Sequence, residues 1–180
     1  MLFFLCSIKT YAADISQASV DYSEGVYTIN FDATITAPQK KVYSILTDYA
    51  HLNRFNDNII ESSLLDDNDS MMEKCRLLLH TCILFFCRNA TLIEIVNDNN
   101  KDEVTTMIIP DGSDFLSGHS VWKILPVDAE HTSIVLYQQL EPDFWYPPVI
   151  GPWLIKKKVV QELSIMLNRV EQLASVKDSY

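Results

Sequence analysis

The chain has 180 residues, of which 48% are hydrophobic and 21% are charged. These proportions are typical of one globular domain and argue against a disordered or repeat protein. The formal net charge of −10 argues against nucleic acid as a partner, because no basic excess exists to displace phosphate counterions. The sequence has only 4 Gly and no phosphate-binding Gly-rich loop, His-Glu-x-x-His helix or Gly-x-Ser-x-Gly elbow, so it favours binding over catalysis.

The N-terminus has features of an export signal. Residues 2–6 are apolar, and Tyr11-Ala12-Ala13 places small residues before the acidic Asp14. We therefore expect residues 1–13 to be the remnant of a signal peptide and the protein to be periplasmic or secreted. The apolar run is short and no Lys or Arg precedes it, so a docked N-terminus on a cytosolic protein is the alternative. No run approaches the roughly 20 apolar residues of a membrane-spanning helix.

The cysteines allow three interpretations. Cys82 and Cys87 are separated by four residues, a spacing that a strand reversal closes into a small disulfide ring, and this is the interpretation we favour. Such a ring contributes about 2 kcal/mol by loop entropy. The alternatives are buried structural thiols, or a zinc site formed by Cys75, His80, Cys82 and Cys87, which lacks the close ligand pairs typical of zinc.

Hydrophobic periodicity then predicts the elements in chain order. Residues Tyr27 to Thr36 alternate apolar and polar side chains, as a half-buried strand does. Ala37-Pro38 opens a helix, and a second short helix is predicted from Tyr49 to Phe55. Polar Asn- and Asp-rich turns separate six further predicted strands. These strands cover residues 59–65, 71–81, 89–96, 103–109, 120–126 and 132–140.

The longest helix is predicted at the C-terminal end of the chain. It begins at Gly151-Pro152, after a passage rich in aromatic residues and proline. One apolar face runs along it for about five turns. That face comprises Ile155, Val159, Leu163, Met166, Leu167, Val170 and Leu173. The order of elements predicts an α+β helix-grip fold, in which a curved antiparallel sheet of about six or seven strands wraps round the long helix and leaves an apolar cavity.

Several of these residues resemble a known family. Ile35-Thr36-Ala37-Pro38, Asp48-Tyr49 and Phe55 resemble the strand-to-helix segment of the START-like, polyketide cyclase-like superfamily, and Ser120-Val121-Trp122-Lys123-Ile124 is similar to the Trp-centred strand of its coenzyme Q-binding branch. The likeness covers roughly residues 26–174, so residues 14–180 are expected to form a single START-like domain. The resemblance implies a cavity for a lipid, quinone or polyketide-like molecule, with no cofactor common to the superfamily.

The expected ligand site lies on the inner faces of the last strands and on the long helix. Gln138 is the polar member of an otherwise apolar inner face, and it either bonds a neighbouring side chain or contacts a ligand oxygen. The apolar candidates are core residues or cavity wall. The candidate ligand-binding residues are Trp122, Ile124, Ile134, Leu136, Gln138, Leu140, Trp153, Val159 and Leu163.

Two surface features raise the possibility of transient membrane contact. The first is an aromatic rim of Phe144, Trp145, Tyr146 and Trp153 together with the apolar loop 83–86, for which a packed hydrophobic plug is the alternative. The second is the run of Lys156, Lys157 and Lys158 at the start of the long helix, where the helix dipole disfavours cations. The simpler interpretation of this run is a solvated helix face. The more specific alternative is contact with anionic lipid headgroups.

The rival function is an enzyme of the cyclase or dehydratase class that uses the same cavity. Its acid/base candidates are Asp48, His80 and His119, and it requires a titratable group inside the cavity with a perturbed pKa. No sequence-near nucleophile or carboxylate completes a catalytic set around the histidines, so we assign no catalytic residue and no metal ligand. A non-enzymatic carrier is the function we favour.

Overall fold

The computed structural model describes residues 13–65, 72–144 and 151–176. Eight strands form one antiparallel sheet in the order β1-β2-β8-β7-β6-β5-β4-β3. Two helices accompany it, α1 (Gln39–Leu46) and the long α2 (Pro152–Ser175), with a short 3-10 helix at Leu52–Arg54. The strands are β1 (Asp14–Ser23), β2 (Val26–Ile35), β3 (Ile59–Leu65), β4 (Glu73–Ile83), β5 (Phe86–Asn100), β6 (Glu103–Ile108), β7 (Phe115–Pro126) and β8 (Thr132–Pro142).

The sheet curves round α2. The helix contacts β1 and β2 at one end of the sheet and β4 near the other end, so the concave face surrounds it. This is the predicted helix-grip architecture, and the α+β class is confirmed. The sheet has eight strands rather than six or seven, because β1 pairs with β2 as an additional edge strand. The predicted second helix is shorter than expected and has 3-10 geometry.

Alternation along each strand explains which side chains form the core. On β2 every second residue from Ile29 to Ile35 is buried, whereas the intervening side chains keep some exposure. Helix α2 begins with Pro152 in its first turn, where a missing backbone N–H costs nothing. Its residues Leu167 and Val170 are completely buried against the sheet.

Buried polar contacts fix α1 and α2 against the start of the sheet. The backbone N–H of Thr36 donates to the Glu171 carboxylate, whose other oxygen is buried and has no partner among the described residues. The Thr132 hydroxyl donates to the Ala37 carbonyl oxygen at 2.6 Å. Within the described residues, no helix is long and apolar enough to cross a membrane.

Candidate functional site

A cavity of about 380 Å³ lies between the concave face of the sheet and the first half of α2. This volume falls in the range of small-molecule binding sites. Helix α2 covers the cavity with Val159, Leu163 and Met166. Strands β4 to β8 supply the opposite wall, which is mainly apolar. Its apolar members include Leu77, Leu79, Ala90, Leu92, Val96, Val104, Trp122, Ile124 and Leu140.

Four polar side chains from consecutive strands line the same wall, and we call them the polar row: Glu94, Thr106, Ser120 and Gln138. Strand register brings them together, since Thr106 lies opposite Ser120, and Ser120 lies opposite Gln138. Thr106 Oγ1 donates to Glu94 Oε1 at 2.8 Å and lies 2.9 Å from Ser120 Oγ. Gln138 lines the cavity, and among the described residues its amide has no side-chain hydrogen-bond partner.

The charge state of Glu94 is shaped by its position. Burial raises the pKa of the Glu94 carboxyl, and the hydrogen bond from Thr106 opposes that shift. The residue keeps some accessible surface because it lines the cavity. In its protonated form this carboxyl can donate a hydrogen bond as well as accept one.

Helix α2 adds an ion pair to the cavity wall. Lys158 and Glu162, one turn apart, form a salt bridge, and both line the cavity. Their side chains are largely shielded from solvent, with 28% and 19% exposure. The helix side of the cavity therefore carries a positive and a negative charge that neutralise each other. This pair lies opposite the hydrogen-bonding groups of the polar row.

The loop between the 3-10 helix and β3 forms another part of the cavity wall. Phe55, Asn56 and Asn58 line the cavity, while Asp57 points outward and is 74% exposed. Both Asp57 oxygens accept hydrogen bonds from the Arg169 guanidinium, at 2.6 and 2.5 Å. These bonds hold the pKa of the Asp57 carboxyl below its usual value. This bidentate pair joins the loop to α2 beside the cavity, and we call it the loop clasp.

A smaller space of about 160 Å³ adjoins the main cavity. The two share several lining residues, including Ile29, Leu140 and Val159. Ile83, at the β4–β5 hairpin, and Ile155, in the first turns of α2, line only the smaller space. The hairpin and the start of α2 therefore lie at the same end of the molecule.

Six of the nine candidate ligand-binding residues line the main cavity. Ile134 and Leu136 share the inner face of β8 but are 0% and 1% exposed in the core, away from the cavity. Trp153 is 67% exposed at the start of α2. No open space of the cavity adjoins these three side chains, so they are left out of the site that we propose. The six cavity-lining residues are Trp122, Ile124, Gln138, Leu140, Val159 and Leu163.

The predicted disulfide is present between Cys82 and Cys87, which lie directly opposite each other in the β4–β5 hairpin. Cys75 is a buried free thiol whose Sγ lies 3.8 Å from the Tyr49 carbonyl oxygen. Burial raises the pKa of the Cys75 thiol to about 11. The four-ligand zinc alternative does not fit this arrangement, because Cys75 is not grouped with the other three residues and the two hairpin sulfurs are bonded to each other.

The acid/base candidates of the rival function lie outside the cavity wall. Asp48 accepts one hydrogen bond from Arg54 and contacts His51 at the surface. His80 is exposed on β4, and His119 lies on β7 beside Tyr137, with two strands between them. Glu94, a titratable group that does line the cavity, was missed. Glu94 occupies an inner position of a long strand, and alternation along β5 is the signal that could have found it.

The aromatic rim is described only in part. Phe144 lines the main cavity, packs edge-on against Phe115 and lies 4.3 Å below the Arg88 guanidinium. Trp145 and Tyr146 lie outside the described residues. In the 83–86 loop, Leu84 and Phe85 are 61% and 83% exposed, whereas Ile83 is buried. The hairpin tip is therefore an exposed apolar feature rather than a plug.

Solved structures with the same fold come from several bacteria. A START superfamily protein from Mycobacterium smegmatis is 20% identical with a TM-score of 0.65, covering 81% of this chain and 98% of that one. A protein from Thermus thermophilus is 18% identical with a TM-score of 0.62, covering 82% and 96%. The Zhui aromatase/cyclase from Streptomyces sp. R1128 is 15% identical with a TM-score of 0.62, covering 83% and 93%. At these identities the likeness shows the fold alone.

No curated protein matches the chain. The sequence does match a family model. The model described as "Polyketide cyclase / dehydrase and lipid transport" matches residues 35–163, which include α1, strands β3 to β8 and the cavity-lining residues Val159 and Leu163 of α2. The match is to the family as a whole and does not single out the coenzyme Q-binding branch. The chain belongs to the polyketide cyclase / dehydrase and lipid transport family.

Proposed function

We propose that the protein carries or senses a hydrophobic small molecule, such as a lipid, quinone or polyketide-like compound, in the main cavity. The observation that carries this proposal is the apolar cavity of about 380 Å³ in a chain of this family. Trp122, Ile124, Leu140, Val159 and Leu163 would contact the apolar body of the ligand. Burial of apolar surface would supply the affinity, at about 25 cal/mol per Å² before the costs of association.

The polar row would orient the ligand. Gln138 presents an amide without a side-chain partner among the described residues, and the Ser120, Thr106 and Glu94 hydrogen bonds form a connected chain beside it. A carbonyl or hydroxyl oxygen on the ligand would satisfy the Gln138 amide, whereas a pure hydrocarbon would leave it unpaired. We therefore expect an amphiphile with one oxygen-bearing end.

Native mass spectrometry of protein purified from its host without detergent tests this proposal. A discrete bound molecule at near-stoichiometric occupancy, identified after organic extraction, is the expected result. Leu92→Trp fills the cavity from β5 and should abolish that occupancy. Met107→Trp places the same side chain on an exposed position of β6, 63% exposed, and should leave occupancy unchanged. Equal occupancy in two folded variants would exclude this cavity as the binding site.

We also propose transient contact with an anionic membrane through the end of the molecule that carries the β4–β5 hairpin. Leu84, Phe85 and Trp153 are exposed there, and Lys156 and Lys157 are exposed close by on α2. Apolar side chains that enter the interface beside lysines are the arrangement that anionic lipids attract. Co-sedimentation with phosphatidylglycerol vesicles should fall after Phe85→Ser and after Lys156→Glu/Lys157→Glu, but not after Met107→Ser. Unchanged binding in both tip and lysine variants would contradict this contact.

We propose in addition that residues 1–13 are the remnant of an export signal, that residues 14–180 act as one START-like domain, and that the protein works in the periplasm or outside the cell. The Cys82–Cys87 disulfide supports an oxidising compartment. Fractionation of the host followed by N-terminal sequencing of the mature chain tests the proposal. A first residue at or near Asp14 is expected, and an intact N-terminus in the cytosolic fraction would contradict it.

A cyclase or dehydratase activity is the second candidate, and Glu94 is the observation that favours it. A buried carboxyl with a raised pKa, hydrogen-bonded inside a cavity, can donate a proton to a ligand carbonyl oxygen. Glu94→Gln keeps the shape of the side chain but removes the transferable proton. Turnover of a bound polyketide-like substrate that disappears in Glu94→Gln while occupancy persists would support the enzyme. A ligand recovered unchanged from both proteins would support the carrier.

A further inference from the structure

A second cluster of chemically reactive side chains lies on the outer face of the β4–β5 hairpin. His80 lies opposite Asn89, and Cys82 lies opposite Cys87, in consecutive outward positions of the two strands. The alternate residues, such as Leu79 and Ala90, point into the cavity. The cluster is therefore separated from the cavity by the sheet, and it is accessible because His80, Cys87 and Asn89 are exposed.

Hydrogen bonding orients the His80 ring toward Cys82. His80 Nδ1 lies 2.5 Å from Asn89 Oδ1. An amide oxygen only accepts hydrogen bonds, so Nδ1 carries the proton of the neutral ring and Nε2 carries the lone pair. His80 Nε2 lies 3.4 Å from Cys82 Sγ. A proton acceptor is thus held beside one sulfur of the disulfide by a third side chain, the arrangement that activates thiol nucleophiles.

We propose that Cys82 and Cys87 form a redox-active pair that exchanges with external thiols, with His80 as the proton acceptor for Cys82 and Asn89 as its positioning residue. An external thiolate attacks the more exposed Cys87 sulfur and forms a mixed disulfide, while the Cys82–Cys87 bond breaks and its electron pair stays on Cys82. The proton released by the external thiol moves to His80 Nε2, so Cys82 leaves as a thiolate paired with an imidazolium.

A second thiol completes the exchange. It attacks the external sulfur of the mixed disulfide, and Cys87 leaves and takes up the remaining proton. Two thiols are oxidised to one disulfide, and the protein disulfide gains two electrons and two protons. The reverse sequence oxidises the dithiol at the expense of an external disulfide. The external reactant is any accessible thiol or disulfide, so the exchange needs no metal or cofactor and does not depend on ligand binding in the cavity.

Cys75 shows what an inert thiol looks like in the same chain. It is buried, its pKa is raised by burial, and it has no imidazole within hydrogen-bonding distance in the described structure. Cys82 differs from it because it is partly accessible, lies on the outer face and has the His80 lone pair beside it. Reactivity with an electrophile should therefore separate the two thiols within one molecule.

The test uses the full chain after reduction, with iodoacetamide as the probe and fragmentation mass spectrometry to assign the label. At pH 6.5, Cys82 should be alkylated about tenfold faster in the native protein than in His80→Gln, because the imidazole increases the thiolate fraction. Asn89→Ala should give a smaller decrease, since the ring stays but loses its orientation. His131→Gln alters another exposed histidine, paired with Asp128, and should change nothing.

Reduction of the oxidised chain by glutathione at pH 7 gives an independent measurement. The native disulfide should open faster than that of His80→Gln, and the rate ratio should shrink as the pH rises and ordinary thiols ionise. A Cys82 alkylation profile that matches Cys87 and is unchanged in His80→Gln would overturn the proposal. So would a disulfide that glutathione leaves intact, which would identify it as a structural staple only.

Discussion

The two halves of α2 meet the same sheet with opposite results. In the C-terminal part, from Leu167 to Ser175, which we call the packed half, Leu167 and Val170 are completely buried. In the N-terminal part, from Pro152 to Met166, which we call the cavity half, Val159, Leu163 and Met166 cover open space. The apolar spacing continues unchanged from one half to the other.

The residues on the facing strands account for the difference. Away from the cavity, the inner face of the sheet carries large, almost completely buried side chains such as Phe31, Ile134 and Leu136. Opposite the cavity half, the polar row and the small residue Ala90 interrupt the large apolar side chains of the wall. Interior packing to crystal-like density therefore ends where polar and small residues enter the inner face of the sheet. A binding site arises where the sheet does not fill the space beneath a helix face.

The largest effect is expected on the free energy of unfolding when one leucine in each half of α2 is truncated to alanine. Leu167→Ala should lower the free energy of unfolding by about 2–5 kcal/mol, because it opens a new cavity in a close-packed region. Leu163→Ala removes the same atoms beside an existing cavity and should cost about 1 kcal/mol, since little packing is lost. Urea unfolding followed by circular dichroism measures both. Equal losses would mean that the cavity half is as tightly packed as the rest of the core.

A second prediction concerns the carboxyl in the cavity region. Glu94→Gln should raise the free energy of unfolding at neutral pH by about 1 kcal/mol, a typical size for a single substitution. Burial raises the pKa of Glu94 in the folded state above its ordinary value of 4.5. Between the ordinary pKa of the unfolded state and the raised pKa of the folded state, the folded protein therefore binds more protons than the unfolded protein. Native stability therefore falls as the pH rises through that window.

The pH dependence provides the control for this prediction. Below the ordinary carboxyl pKa, both states of the native protein are protonated, and the native protein and Glu94→Gln should be equally stable. The gap should open above pH 4.5 and then level off. The Cys75 thiol, which faces Glu94, stays neutral over this range because its pKa is about 11. A stability gap that is constant from acid to neutral pH would assign the effect to packing instead of charge.

Much of the fold was predictable because patterns of residues close together in the sequence indicate its strands, its long helix and its disulfide. The alternation along β2, the apolar stripe of α2 and the four-residue spacing of Cys82 and Cys87 all predicted the observed structures. Strand β1 was missed because its pairing shifts between Ile15 and Gln17, and this irregularity interrupts the alternation that marks a strand. A sequence pattern with a bulge has no single period to detect.

The site was less predictable because it depends on relations between strands. Gln138 was identified from its own strand, yet the polar row also needs the registers that align Thr106 and Ser120 beside it. Leu136 and Gln138 belong to the same inner face, but Leu136 is buried in the core whereas Gln138 lines the cavity. The angle and position at which the helix crosses the sheet determine which inner residues line the cavity. The local spacing of residues in the sequence does not encode that crossing.

The smallest expected effect concerns access to the cavity through the loop clasp. Arg169 lies in the packed half, whereas Asp57 belongs to a loop whose neighbours line the cavity, so the clasp ties a wall of the open region to the rigid one. Asp57→Asn should keep the loop's shape but weaken the pair, and it should speed exchange of a bound fluorescent fatty acid by less than about fivefold. Stopped-flow displacement measures the rate.

In the native protein, added salt and low pH should speed ligand exchange in the same way as Asp57→Asn. Raising the ionic strength screens an exposed pair, and protonating Asp57 removes its charge. Because the guanidinium lowers the pKa of Asp57 below 3.8, the pair persists at every pH above that value and is lost only as the pH falls through the lowered pKa. Asp128→Asn, at the distant β7–β8 turn, is the matched control. A rate that is insensitive to salt in the native protein and unchanged by Asp57→Asn would show that the ligand leaves by a route that does not involve this loop.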